Sequence, residues 1–265
     1  MSEQITKKYL KNLQYGTTVN LDARIKIHQL FSTDPESFHS WIGGKLSFPR
    51  PVDVLDVGCG TGIFWSENLN RLPAGSTLTL TDFSDAMVKR SRESFSVPWI
   101  KAEVADVEDL PYESGRFDMV NAHHVIYHAE DKDRALNEIK RVARADGTVT
   151  ITTNSERHMR IVYEIGRRID ARFPLDRIID SFTEEIADTM LARYFDKIEK
   201  HVQEDLLRVT DITILLDYVA TGVRPRNMPV ADGFFEEYAN IVSREIEEKG
   251  YFGVPKRSPL YICSI

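Results

Sequence analysis

The chain has 265 residues, 42% hydrophobic and 28% charged, enough for one large globular domain or a core with an appendage, and not the composition of a disordered chain. With 34 Lys plus Arg against 41 Asp plus Glu, the formal net charge is −7, so no global basic field draws phosphate backbones and nucleic acid is disfavoured as a partner. Two cysteines, Cys59 and Cys263, build neither a disulfide framework nor a four-ligand zinc site and fit a reducing cytoplasm; no run of about 18 apolar residues predicts a membrane span, and Lys7, Lys8 and Lys11 among isolated apolar residues predict no signal segment.

Residues 5–31 predict one or two helices, with Leu10, Leu13, Leu21, Ile25, Ile27 and Leu30 near helical spacing around a break at Gly16. Pro49 and Pro51 close this segment. The period then changes: strands are expected at 52–57, 77–81, 99–104, 117–122 and 148–153, with helices at 64–72 and 131–143. Strands alternating with helices imply an α/β fold whose parallel sheet is covered on both faces. After Asn154 the rhythm breaks. Ile161, Ile165, Ile169 and Phe173 recur every fourth residue within 156–173, and 183–194, 211–220 and 234–248 also read as helices. Residues 195–209 alternate weakly as a strand, and 259–265 form a short terminal strand. The expected organisation is a helical cap segment at 1–48, a core at 49–154, a helical insertion with remaining core elements at 155–250, and a closing strand at 251–265.

The most informative stretch is Val54-Leu55-Asp56-Val57-Gly58-Cys59-Gly60-Thr61-Gly62, an apolar strand running into three glycines and then a helix. Glycine suits a sharp turn where a ligand approaches bare N–H groups at a helix N-terminus. A dinucleotide site would place two residues between its second and third glycines, whereas one separates Gly60 from Gly62. Twenty positions past Gly62 comes Asp82, where a carboxylate can accept both hydroxyls of a ribose, followed by Phe83.

These features resemble the class I S-adenosylmethionine (SAM) dependent methyltransferases, with Asp-x-Gly-x-Gly-x-Gly after a strand. Residues 105–111 (Ala-Asp-Val-Glu-Asp-Leu-Pro), 115–120 (Gly-Arg-Phe-Asp-Met-Val) and the helix at 131–144 before Asp146-Gly147-Thr148 are similar to later motifs of the family. The resemblance spans about residues 52–153 and is nearest to the ubiquinone/menaquinone-type and small-metabolite members. It implies a Rossmann-like, seven-stranded, mostly parallel sheet whose last strand is antiparallel, with helices on both faces and a helical cap. SAM is the implied cofactor, with S-adenosylhomocysteine as its product. The implied cofactor site comprises Asp56 at the amino-acid end, Gly58, Gly60 and Gly62, Asp82 at the ribose, Phe83, Asp106 and Val107 around the adenine, and Asn121 and Ala122 at the end of the fourth strand. Cys59 is given packing only.

Methyl transfer needs an in-line nucleophile, a dry site and, for some acceptors, a base. Three of seven histidines, His123, His124 and His128, lie within six residues after the fourth strand. His124 is the expected base and His123 the second candidate, while His128 suits a structural role at the next helix. Alternation predicts that the adjacent His123 and His124 point opposite ways. Their spacing does not predict a metal site, since no acidic neighbour completes a ligand set. In the cap, Tyr15, Asn20 and Arg24 are polar residues near a helix break; Tyr15 and Arg24, with Tyr127 and Arg160, are candidate acceptor-binding residues, and Arg24 is also placed to pair with the cofactor's carboxylate. Arg160, Glu164 and Arg168 also stand at i,i+4 spacing, which predicts a solvated helix face. The expected partner is a small-molecule methyl acceptor. The same motifs allow an RNA or protein acceptor, or a SAM-binding protein without turnover, and no motif marks the acceptor or the oligomeric state.

Overall fold

A computed structural model of the chain describes residues 19–174, 178–223 and 228–265. Tyr15 lies outside the described residues, as does the first half of the helical segment expected over 5–31. The strands are β1 Asp53–Val57, β2 Thr77–Asp82, β3 Ile100–Val104, β4 Phe117–His123, β5 Ala143–Thr152, β6 Lys197–Val209 and β7 Phe252–Ser264. They form one sheet in the order β3-β2-β1-β4-β5-β7-β6, parallel from β1 to β5, with β7 antiparallel to both its neighbours. This is the seven-stranded, mostly parallel Rossmann-like sheet that the resemblance implies.

The described helices are α1 Val19–Phe31, α2 Phe38–Lys45, α3 Ile63–Asn68, α4 Asp85–Ser94, α5 Lys132–Val142, α6 Arg160–Ile169, α7 Glu184–Met190, α8 Ile212–Val223 and α9 Phe234–Lys249. The pleat sends alternate side chains to opposite faces. Leu55 and Val120 join α5's Ala135, Leu136 and Ile139 in one apolar cluster, while their neighbours Val54 and Met119 join Phe64 and Trp65 of α3 and Ile42 of α2 in another. Both faces of the parallel strands are therefore buried. Chain order reverses between β1 and β4, which opens a crevice at their C-terminal ends.

Two helices have no counterpart in the expected pattern, α2 and α4. Few apolar residues mark either: α4 buries only Met87, Val88 and Ser91, and α2 carries two glycines. A cap does mark α2, since the backbone N–H of Ser40 donates to the Ser37 side chain. Conversely, α6 is shorter than the stretch 156–173. Met159 enters the left-handed region at φ 53° while donating its N–H to Pro255 O, and past the other end Phe173 folds back onto Gly166, where a Cβ would stand 2.5 Å from the ring.

The weakly alternating strand expected over 195–209 is present as β6, and β7 starts at Phe252 instead of near residue 259, so each strand of this hairpin has 13 residues. Its inner half pairs with β5 through residues 260–264 of β7. The outer half supplies Leu207, Val209, Phe252 and Val254 to a separate apolar cluster with Ile27 of α1, Val162 and Ile165 of α6, Leu215 of α8 and Tyr238 of α9. Each such fully buried side chain stabilises by about 1.5–3 kcal/mol, so the cap has a core of its own. Among the described residues no helix is long and apolar enough to cross a membrane.

Candidate active site

The loop after β1 is shaped by two glycines that do different work. Gly58, at φ 69°, lets the loop after β4 approach, because a Cβ there would lie 2.3 Å from Val125 Cγ2. At Gly60, φ 56°, a Cβ would meet nothing within 4 Å, and the residue borders a cavity of about 640 Å³. Bare backbone facing open space is a cradle that a side chain would fill and a ligand can occupy instead. The cavity lies within the roughly 300–1,000 Å³ range of small-molecule sites.

Two acids stand at this end. Asp82 closes β2, its Oδ2 accepting from Gly60 N at 3.0 Å and its Oδ1 from Ser84 N at 2.8 Å. Burial pushes its carboxyl up to about 6 against those backbone donors. Asp56, 3% exposed at the end of β1, is pushed up to about 7 by burial and the nearby Asp82 charge, with the Trp65 indole pulling the other way. A buried acid whose pKa is raised opposes folding once the pH rises above its ordinary value of about 4. Asp56→Asn is therefore expected to raise the Tm of the ligand-free protein at pH 7.5 and to lose that advantage near pH 4. Melts showing the same Tm difference at both pH values would contradict this origin.

The far half of the cavity is walled by imidazoles. Six of the seven histidines line it: His28, His39, His123, His124, His128 and His158. Burial is the largest cause that pushes His28, His123, His124 and His128 down to about 3, which leaves these rings neutral near pH 7. Thr150 Oγ1 donates to Asn121 Oδ1 at 2.7 Å and lies 2.9 Å from His123 Nε2. A hydroxyl has one proton, so in this arrangement it accepts from His123, which carries its proton on Nε2. His124 sits at φ 56°, its N–H donating to both O and Oγ1 of Thr152 at 3.1 Å, and its ring lies 5.4 Å from that of Phe38. That left-handed turn cancels the expected alternation, so His123 and His124 both line the cavity.

Other residues singled out in the sequence divide. Asp56, Gly58, Gly60, Asp82, Phe83, Asp106, Val107, Arg24 and Tyr127 line the cavity. Gly62, Asn121 and Ala122 do not: Asn121 and Ala122 are fully buried, and Gly62, at φ 79°, caps α3 where a Cβ would meet Phe95 at 2.6 Å. Arg160 is outside the lining as well. It is half exposed and pairs with Glu164 at 3.0 Å, so the i,i+4 solvated face prevails over the acceptor clamp. The sequence reading missed His28, His39, Phe38, His158, Lys256 and Ser258, which reach the cavity from α1, α2, the turn before α6 and β7. Only tertiary folding assembles them, although the excess of histidine was a visible signal. Among the described residues no group of three or more His, Cys, Asp or Glu side chains is arranged to hold a metal ion.

Residues 55–151 match the family described as "Methyltransferase domain". A malonyl-[acyl-carrier protein] O-methyltransferase of Pseudescherichia vulneris is 29% identical over 151 residues, 56% of each chain. The ubiquinone/menaquinone biosynthesis C-methyltransferase UbiE of Idiomarina loihiensis is 33% identical over 106 residues, 38% of this chain and 42% of that protein. The chain spans about half the length of the curated relatives it matches. In fold it is similar to a SAM dependent methyltransferase from Aquifex aeolicus, with a TM-score of 0.52, 12% identity and coverage of 91% of this chain and 98% of that one. It is similar also to phosphoethanolamine N-methyltransferase 2 of Haemonchus contortus, solved with S-adenosylhomocysteine, with a TM-score of 0.58, 15% identity and coverage of 97% and 59%. With the glycine loop, the acids at the ends of β1 and β2 and the sheet order all in place, residues 55–151 form a methyltransferase domain of the class I S-adenosylmethionine-dependent kind.

Proposed function

We propose that this chain transfers a methyl group from SAM to an oxygen, nitrogen or carbon atom of a small molecule. One observation carries the reading: a single cavity of about 640 Å³ runs from the glycine loop and Asp82 to the histidine-lined wall under the cap. Bound there, SAM supplies an electrophilic methyl group and leaves as S-adenosylhomocysteine. Gly58 and Gly60 would offer bare backbone to it, Asp56 its amino-acid end, Asp82 the ribose hydroxyls, and Phe83, Asp106 and Val107 the adenine.

What the chain itself contributes beyond this grip is desolvation and position. An imidazole held near 3 is too weak to strip a proton from an alcohol or amine ahead of transfer. His124 therefore acts in this reading as a neutral hydrogen-bonding group at the acceptor, and His123, whose Nε2–H is held by Thr150, as part of the cavity wall, in place of the general base expected from sequence. A proton that becomes acidic once the acceptor carries its new methyl group can still pass to such a ring or to water. Incubating the protein with SAM and a small-metabolite extract is expected to release S-adenosylhomocysteine above the extract-free blank. Release only with RNA or protein fractions would move the acceptor to those classes, and binding of SAM with no release in any fraction would make the chain a non-catalytic binder.

A further inference from the structure

The acceptor half of the cavity holds two rings whose hydrogen bonding is left open. His28 projects from α1 of the cap and His124 from the loop after β4, and each lines the cavity. On both rings Nδ1 is shut away from water without a hydrogen-bond partner, while Nε2 is not among the sealed atoms. An orphaned N–H donor is the rarer and costlier defect in a buried site, and a bare lone pair the more tolerable one. The proton therefore belongs on Nε2, the open nitrogen, as it does on His123 beside Thr150. Each ring thus presents one uncharged N–H donor.

The charged groups nearby are already engaged. Lys256 donates to Asp205 at 2.8 Å, Glu67 is met by His39 at 3.4 Å and by the Ser37 hydroxyl, and Arg24 donates to Thr221 at 3.1 Å. An acceptor that brought a full charge would lose its hydration without an uncommitted partner.

On the methyltransferase reading above, we propose that His28 and His124 form a carbonyl-reading pair, two neutral Nε2–H donors from cap and strand end, which selects an uncharged acceptor bearing a carbonyl oxygen. His28 is then a specificity-determining residue that no motif marks.

Imidazole ¹⁵N spectra of the full chain with S-adenosylhomocysteine test this directly. Both rings are expected to be neutral with the proton on Nε2 at pH 7, and their Nε2 signals to move on titration with 4-hydroxybenzamide but not with 4-hydroxybenzoate or 4-hydroxybenzylamine. A protonated ring, a proton on Nδ1, or equal response to the charged probes overturns the pair. His28→Phe is expected to weaken amide-probe binding about tenfold while retaining S-adenosylhomocysteine, and His28→Gln, which keeps an N–H donor, to recover most of it. The same contrast should hold between His124→Phe and His124→Gln. Phenylalanine variants that bind the amide as well as wild type would also overturn it. Calorimetry with S-adenosylhomocysteine alone separates the two readings: no binding removes the methyltransferase assignment, whereas binding with the wrong tautomer or probe order removes only the carbonyl pair.

Discussion

Asp82→Ala is expected to weaken SAM binding at least a hundredfold by calorimetry. The side chain has two tasks. It fixes the glycine loop by accepting from Gly60 N at 3.0 Å, and it stands on the cavity where a ribose would present two hydroxyls. Hydrogen bonds to a charged acceptor are worth about 1.5–3 kcal/mol each, so losing two costs about 3–6 kcal/mol of binding before the loop's own relaxation is counted. Asp82→Asn keeps the shape and one acceptor oxygen, so its loss should be smaller, roughly tenfold. Because burial holds the Asp82 carboxyl up at about 6, wild-type affinity should also fall as the pH drops through that value and the acceptor oxygens take on a proton. Unchanged affinity in the alanine variant would remove Asp82 from the cofactor site.

The largest effect on stability is expected at Asp205. This carboxylate on β6 is 2% exposed, and it accepts from Lys256 Nζ of β7 at 2.8 Å, Ser32 Oγ at 2.7 Å, and the backbone N–H groups of Thr33 at 3.1 Å and Asp34 at 3.2 Å. One acid thereby ties the segment after α1 to both strands of the long hairpin. Burial alone would push its carboxyl up, but the Lys256 ammonium and the Ser32 and Thr33 donors outweigh burial and hold it well below the usual carboxylate range. Asp205→Ala leaves a buried lysine without its counter-charge, a defect that costs about 3–5 kcal/mol. For a domain of this size that is a fall in Tm of about 6–20 °C. The sign with pH follows from the lowered carboxyl. Its contribution is complete above its unfolded value of about 4 and is lost as the pH falls further towards the folded one. The Tm gap between wild type and Asp205→Ala should therefore be widest near neutrality and close in strong acid; a gap that widens in acid would contradict the account.

The glycine-loop half of the cavity was legible because its signals are local. A strand, its glycine turn and the following helix occupy about a dozen consecutive residues at 54–65, and Asp82 needs only the end of the next strand. The histidine-lined half was not, because its residues come from places with nothing in common along the chain. His28 sits one position after Ile27, a core residue of the cap, and reads as part of an ordinary helix. Lys256 and Ser258 lie on a strand whose outer half was unread, since Pro255 and Pro259 flank them and proline argues against a strand interior. Only the backbone turn at His124, which no residue type announces, brings both adjacent histidines into one wall.

The hairpin of β6 and β7 gives the molecule an unequal capacity to change. One end is registered against β5 and through it against the half of the sheet that carries the glycine loop, while the other carries the cap's apolar core. A strand advances about 3.3 Å per residue, so removing two residues from each arm would lower the roof by about 7 Å and keep every side chain on its own face. The glycine-loop end would then stay as it is while the room beneath the roof grows or shrinks, so that the size of what the cavity admits is set independently of the loop at its floor.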